Sequence, residues 1–329
     1  MRPHALLLAA ASTAAAQTVS TAFQLEDVGT WFENLAVRAS GSVLATRMDA
    51  PEVWEIDPST GTGSALVTVP GHLSTTGITE LTADVFVFSA ANFSFADPPG
   101  LEPGSLAVWK VDLSGEAEDP EPELVARFPD ARFLNGMATW DVKRVLVGDT
   151  AGVVYLLDVE TGEFETALDG PEVAGVNGLR ARDGEVYAMS TTERILYRIP
   201  VDADARISGE VEALYQGLGI DDFDVGADGA VYAASPSGNV VVKIQGGEAT
   251  TLAGGEGSLE VISPTSVRIG RGAGEGSIYV STTGNGAFGG PEDVKEPASI
   301  VAIRLVEAEE EGNGDKDGGE EDGEVEGEE

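Results

Sequence analysis

The stretch Gly219-Ile220-Asp221-Asp222-Phe223-Asp224-Val225-Gly226-Ala227-Asp228-Gly229-Ala230-Val231-Tyr232-Ala233-Ala234-Ser235 decides how this chain folds. A polar pair leads into a short alternating run, a tight turn at Asp228-Gly229, and a second apolar run that ends in serine. Alternation and turn chemistry together predict a β-hairpin. Variants recur: Phe32-Glu33-Asn34-Leu35-Ala36-Val37 precedes Ser42-Val43-Leu44-Ala45-Thr46, and Leu134-Asn135-Gly136-Met137-Ala138-Thr139 precedes Arg144-Val145-Leu146-Val147-Gly148. Val176-Asn177-Gly178-Leu179 and Pro264-Thr265-Ser266-Val267 open two more copies, and Thr75-Thr76-Gly77-Ile78 a weaker one.

Aligning the polar residue of each copy gives Glu33, Thr76, Asn135, Asn177, Asp221 and Thr265, separated by 43, 59, 42, 44 and 44 residues. A period of roughly 40–50 residues holding several short strands is the signature of a β-propeller. Six copies predict an all-β, six-bladed propeller with four-stranded antiparallel blades. The competing reading is a β-sandwich with accidental self-similarity.

Blade one is expected at 32–38, 42–47, 52–56 and 64–69. Blade six offers only 265–269, 277–281 and 299–305, so it lacks a strand. The alternating segment Ser20-Thr21-Ala22-Phe23-Gln24-Leu25 has no other place. It is expected to complete blade six and cover an edge otherwise open to pairing. Aromatic residues of the third strands, such as Trp54, Trp109 and Tyr197, are expected to pack between blades.

Residues 1–17 read as a secretory signal, with Arg2, the apolar run Ala5–Ala11 and the small residues Ala14–Ala16. The alternative is a disordered alanine-rich leader. The propeller should then span 18–306, followed by an acidic tail at 307–329. The chain carries a formal net charge of −38. The tail holds 13 acids and one lysine, a solvated composition that cannot form a core. Such charge argues against nucleic acid or an anionic membrane as partner. A secreted monomer that binds a small molecule is expected. There is no cysteine, which removes thiol chemistry and redox sites. No phosphate-binding glycine motif is present, so no nucleotide or redox cofactor is expected. Asn92-Phe93-Ser94 is a glycosylation sequon at Asn92.

The six aligned residues begin the innermost strands and should converge on the central channel. Glu33, Asn135, Asn177 and Asp221 offer the oxygen ligands that Ca²⁺ or a similar hard divalent cation takes. The competing reading is that they cap strand ends and bind channel water. Trp31, Thr76 and Thr265 flank that mouth. The loops 90–105 and 282–298 are long, which suits function on a rigid scaffold, and bring Asn92, Phe93, Asn285 and Phe288 to the pocket. The chain has two histidines, His4 and His72. With His4 in the leader, a multi-histidine metal site is excluded. His72 is the candidate general base or donor to a carbonyl; Asn135 and Asp221 join it as candidate catalytic groups.

These motifs resemble the SMP-30/gluconolactonase-like six-bladed propellers over about residues 20–305. The carriers are Phe32-Glu33-Asn34-Leu35, Leu134-Asn135-Gly136-Met137, Val176-Asn177-Gly178-Leu179, Asp221-Asp222-Phe223 and Pro264-Thr265-Ser266-Val267. The resemblance implies a divalent cation held by Glu33, Asn135, Asn177 and Asp221. The departure is Asp221-Asp222, where the family has Asp-Gly. The wording of the leader and of Phe-Glu-Asn-Leu-Ala-Val-Arg is similar to a secreted fungal branch. That branch includes hetero-Diels–Alder cyclases of tropolonic sesquiterpenoid biosynthesis, which join an o-quinone methide to a humulene-type olefin. A cycloaddition needs no nucleophile, only apolar walls that orient both partners, worth up to roughly 7–11 kcal/mol, and a donor for the enone oxygen. The alternatives are a metal-dependent lactonase, whose cation polarises the carbonyl or activates water, and a non-catalytic binding propeller.

Overall fold

The computed structural model describes residues 17–95, 100–115, 120–285, 290, 291 and 293–305. The expected leader up to residue 16, the tail at 307–329 and Phe288 lie outside the described residues. The quoted stretch forms its hairpin, Phe223–Val225 with Val231–Ser235. Gly226 N donates to Ala230 O at 2.8 Å across the turn, the Asp228 carboxylate accepts Ala230 N at 3.1 Å, and Gly229 turns at φ +77°. That left-handed backbone is what the Asp-Gly dipeptide supplies.

Six antiparallel four-stranded sheets surround the channel. Their innermost strands are Phe32–Val37, Ser74–Thr82, Leu134–Thr139, Val176–Arg182, Phe223–Val225 and Pro264–Ile269. The 59-residue gap is blade two, whose second and third strands, Val85–Ala91 and Ala107–Asp112, are joined through a small ladder of Phe93–Ser94 with Gly100–Leu101. Thr18–Val28 is the outermost strand of blade six and runs antiparallel to Pro297–Arg304, with Thr18 opposite Arg304 and Val28 opposite Pro297. The two ends of the fold are thus zipped into one sheet.

The core is divided as the repeat requires. Six buried apolar clusters each lie between neighbouring blades, for example Leu146, Leu156, Leu179 and Ala188 between blades three and four. Alternation forces this: residues on the two faces of every sheet point at different neighbours. Third-strand aromatics join these clusters: Trp54 edges onto Phe32 at 6.3 Å and Trp109 packs between blades one and two. Among the described residues no helix is long and apolar enough to cross a membrane.

Candidate functional site at the channel mouth

Antiparallel order places the starts of all six inner strands on one face, together with the loops between second and third strands. There the structure brings Glu33, Asn135, Asn177 and Asp221 together. Asn34 Nδ2 donates to Asn135 Oδ1 at 2.8 Å, and Asn135 Nδ2 donates to Glu33 Oε1 at 3.1 Å. The second Glu33 oxygen accepts the Trp31 indole N–H at 2.5 Å. Glu33, Asn34 and Asn135 are all buried. Asn177 Oδ1 is buried with no hydrogen-bond partner, which marks a place for a ligand donor or ion.

Burial sets the electrostatics. It pushes the Glu33 carboxyl up to about 7, against the pull of the Trp31 and Asn135 hydrogen bonds; the charge of Asp222 adds to the rise. Burial, then the charges of Glu33 and Asp222, hold Asp221 well above the usual carboxylate range, while Asn177 pulls it back. The charge of Glu33 raises the proton affinity of Asp221, and that of Asp222 raises both. Folding therefore binds protons here. Below pH 4.5 Glu33 is protonated in both the folded and the unfolded chain. Above about 7 it is ionised in both, and the folded state carries the full penalty. In chelator-treated protein, stability should fall between these limits by about 3 kcal/mol from Glu33 alone. The Glu33→Gln variant should lose that part of the slope in denaturant midpoints measured across the range; equal slopes would contradict the burial argument.

Asp222 takes a different part from its neighbour. Its Oδ2 accepts Arg180 Nη2 at 2.9 Å, Arg268 Nη1 at 2.8 Å and Ser266 Oγ at 2.6 Å, with the carboxylate 2% exposed. This ion triad lies across the channel beneath the mouth. Below it remains a cavity of about 200 Å³ lined by Ile78, Met137, Arg180, Asp224 and Arg268. A ligand therefore reaches Glu33 from the upper face. The larger groove of about 620 Å³, at Ser42, Asp57 and Tyr279, belongs to turns of the opposite face.

An aromatic wall stands over the floor. Trp31 stacks on Phe95 at 5.1 Å, Phe95 meets Phe93 edge-on at 4.9 Å, and Phe93 meets Phe133 at 6.0 Å. Blades one and three each contribute one ring, and the long loop of blade two bridges them. Phe95 is 41% exposed. Phe95 lies on the long loop expected at the mouth, whereas Phe133 is not among the expected site residues. The signal for Phe133 was its offset, two residues before Asn135, as Trp31 is two before Glu33. Their backbones are held alike: Trp31 N by the Asp49 carboxylate at 2.9 Å and Phe133 N by that of Asp149 at 3.1 Å.

Other expected residues sit elsewhere. Thr76 and Thr265 are buried, and their hydroxyls donate to Leu134 O and Phe32 O of the next blade, both at 2.8 Å. They join blades instead of facing a substrate. His72 is corrected as a general base. It is 8% exposed, its two ring nitrogens face Pro70 O and Ser105 O at 3.2 Å, and its ring stands edge-on to Trp109. It pins the foot of the blade-two loop. Asn92 in the sequon gives Nδ2 to Glu102 at 2.7 Å, and its Oδ1 is buried. Asn285 pairs by its backbone with Lys295 and accepts Ser263 Oγ at 2.9 Å.

A hard cation can be tested against this donor set. In the arrangement above, Asn135 Oδ1 faces Asn34 and both Glu33 oxygens accept N–H groups. Reversing the Asn34 and Asn135 amides together keeps the bond between them and turns Asn135 Oδ1 away from Asn34. It also releases Glu33 Oε1. Asn135 Oδ1 would then face Glu33 Oε1 across the 3.1 Å that the hydrogen bond spans, two oxygens that a cation would bridge, and with Asn177 Oδ1 and Asp221 the donors have the chemistry a Ca²⁺-type ion takes.

No family model matches the chain. A Phoma sp. protein whose name proposes a hetero-Diels-Alderase is 25% identical over 307 aligned positions, covering 78% of this chain and 84% of that protein. A second, asR5 of Sarocladium schorii, named in the same way, is 25% identical over 210 positions; the match covers 53% of this chain and about half (51%) of that relative. Among solved structures, a luciferin-regenerating enzyme superposes with a TM-score of 0.64 at 13% identity, covering 88% of this chain and 95% of that one. The calcium-binding regucalcin of Agrobacterium tumefaciens gives 0.62 at 12%, covering 89% and 95%. A gluconolactonase of Xanthomonas campestris gives 0.61 at 12%, covering 88% and 90%. The chain is similar in sequence to proteins named as hetero-Diels-Alderases, and its fold is that of the SMP-30/gluconolactonase-like propellers.

Proposed function

We propose that this protein is a small-molecule enzyme of natural-product biosynthesis, and that it joins a conjugated enone of the o-quinone methide type to a humulene-type olefin by hetero-Diels–Alder cycloaddition. The observation that carries this reading is the aromatic wall of Trp31, Phe93, Phe95 and Phe133 standing directly on a polar floor. The names of the sequence relatives point the same way.

The reaction forms one C–C and one C–O bond from three π bonds and releases nothing, so it asks for no nucleophile or leaving-group acid. The wall holds the olefin by contact and excludes water, fixing it against the enone. On the floor, Asp221 keeps its proton to an unusually high pH and reaches the mouth, so it donates a hydrogen bond to the enone oxygen as negative charge gathers there. Asn177 Oδ1 accepts from a substrate hydroxyl. In place of that donor, a divalent cation held by Glu33, Asn135, Asn177 and an Asp221 that has given up its proton would supply Lewis acidity at that oxygen. The secretory route and monomeric state expected from the sequence remain part of this proposal.

The test is incubation of purified protein with an o-quinone methide precursor and a humulene-type olefin, reading rate and product isomers against the uncatalysed reaction. The double variant Phe93→Ala/Phe95→Ala should lower kcat/KM by about 10–100-fold, the loss expected when roughly 1.4–3 kcal/mol of aromatic burial is removed. An isomer distribution identical to the uncatalysed one would overturn the reading. Turnover of lactones, abolished by chelator, would replace it with the hydrolase.

A further inference from the structure

We infer that Trp31 couples the two halves of the mouth, so that occupation of the floor by a divalent cation and of the wall by an apolar ligand are cooperative. The inference concerns the site on which the proposed function rests and adds how its two parts communicate.

Trp31 belongs to both halves through different faces of one ring. Its indole N–H donates to Glu33 Oε2 at 2.5 Å, while its ring lies over Phe95 at 5.1 Å with 23° between planes. An indole N–H is a donor only. It therefore takes one lone pair of Glu33 Oε2 and orients the carboxylate, with Oε1 the oxygen turned away from the indole. The backbone of Trp31 is fixed by Asp49, and Asp49 is itself held by Arg47 Nε at 2.9 Å. Glu33 at the indole edge and Phe95 at its face both limit rotation of the side chain.

Phe95 is reached from a separate segment. The foot of that loop is tied by Asn92 N to Ser105 Oγ at 3.0 Å and by the His72 ring to Ser105 O. Its only ring contacts across to blade one run through Trp31 among the described residues. On the other side, Glu33 Oε1 accepts Asn135 Nδ2 in the ion-free arrangement and would exchange that bond for the ion, while Asn135 stays bonded to Asn34, whose backbone N–H is held by Thr46 Oγ1 at 2.9 Å. A continuous chain of contacts thus leads from the buried floor to a half-exposed ring, and Trp31 is its one aromatic link.

The energetic consequence has a definite sign. An ion on Glu33 Oε1 fixes the carboxylate, a fixed carboxylate fixes the indole, and a fixed indole holds Phe95 in the wall. An apolar ligand arriving next orders fewer groups and binds more tightly. Linkage makes the effect reciprocal: the ligand must tighten the ion by the same factor. Trp31 is a positioning residue in this scheme, since it acts on the ion through Glu33.

The deciding variant is Trp31→Phe, which removes the N–H together with the pyrrole part of the indole and keeps a single, smaller aromatic ring beside Phe95. Calorimetric titration with Ca²⁺ alone, with a humulene-type olefin alone, and with each in the presence of the other gives the coupling directly. Wild type should show at least a fivefold mutual increase in affinity, the lower end of ordinary coupling. Trp31→Phe should bind both ligands with the increase reduced to near onefold. Undiminished coupling in Trp31→Phe would overturn the inference, as would absence of Ca²⁺ binding to wild type at millimolar concentration. A second readout is emission: the wild-type spectrum minus that of Trp31→Phe isolates this indole from Trp54, Trp109 and Trp140, and it should shift on addition of Ca²⁺ before any olefin is present. A silent difference spectrum speaks against the link. Because these measurements read binding alone, failure of the cycloaddition assay leaves them interpretable, and their failure leaves that assay untouched.

Discussion

Asp222→Ala is expected to destabilise the protein by about 3–5 kcal/mol, the cost of leaving buried charge without its partner. One carboxylate oxygen receives Arg180, Arg268 and Ser266, and the Asp222 side chain is 2% exposed. The nearest other acid to Arg180 is Asp224, whose Oδ1 lies 3.6 Å from an Nε that is buried with no hydrogen bond. Arg268 sends all its hydrogen bonds through Nη1, to Asp222, Ser266 Oγ and the carbonyls of Phe223 and Val267. Without Asp222, Arg180 keeps only the more distant Asp224, and Arg268 keeps only carbonyl and hydroxyl oxygens. For a domain of this size the thermal midpoint should drop by about 5–8 °C. The double variant Asp222→Ala/Arg268→Met should recover part of the loss, because it removes one of the two stranded charges. Strict additivity of the two single variants would mean that the triad is a set of independent contacts. Since the triad also floors the mouth, Asp221 should lose its position, and ligand affinity should fall along with stability.

That same residue marks the limit of what local sequence rules encode. The period of the polar dipeptides gave the blade count, and the strand missing from blade six foretold Thr18–Val28 as its closing strand. Both follow from local rules: alternation fixes strands, and a sheet edge must be covered. The convergence of Glu33, Asn135, Asn177 and Asp221 followed from equal placement in the repeat. The part played by Asp222 did not, because it depends on Arg180 from blade four and Arg268 from blade six meeting at one point, and no spacing rule encodes contacts between blades. His72 misled for a related reason. Its rarity drew attention, yet a histidine's role is set by what its two nitrogens meet, and here both meet backbone carbonyls. Thr76 and Thr265 share the register of the floor residues, but short side chains at that register reach the neighbouring strand before they reach the channel. The aromatic wall was legible in larger part: Trp31 by position, Phe93 and Phe95 by their long loop, and Phe133 only by an offset that needs the first blade as template.

Gly136→Ala should be at least as damaging, about 3 kcal/mol or more, and for a reason that charge has no part in. Asn135-Gly136 stands in the inner strand of blade three, in the same register as Thr76-Gly77 and Asn177-Gly178. A Cβ on Gly136 would lie 1.9 Å from Asn177 O and 2.9 Å from Leu179 N. A Cβ on Gly77 would lie 1.8 Å from Asn135 O. These neighbours are backbone atoms of the next blade, so no side chain can swing aside. The strand conformation itself suits alanine, and a tolerated alanine would ordinarily stabilise through the unfolded chain. The cost is therefore wholly one of space, and it exceeds the usual 1–3 kcal/mol of overpacking because two main chains must part. Blades one, five and six carry Asn34, Asp222 and Ser266 at this register, where the inner strands leave room for a side chain that crosses the channel. Glycine on one half of the ring and polar side chains on the other thus belong to one geometric scheme. Parting blades three and four would carry Asn135 from Asn177, so the variant should lose Ca²⁺ binding even where it stays folded. Gly115→Ala is the control, since nothing lies within 4 Å of an added Cβ there; its denaturant midpoint should match wild type. A Gly136→Ala midpoint that also matched would mean that the inner strands sit farther apart than the close approach at Gly136 requires.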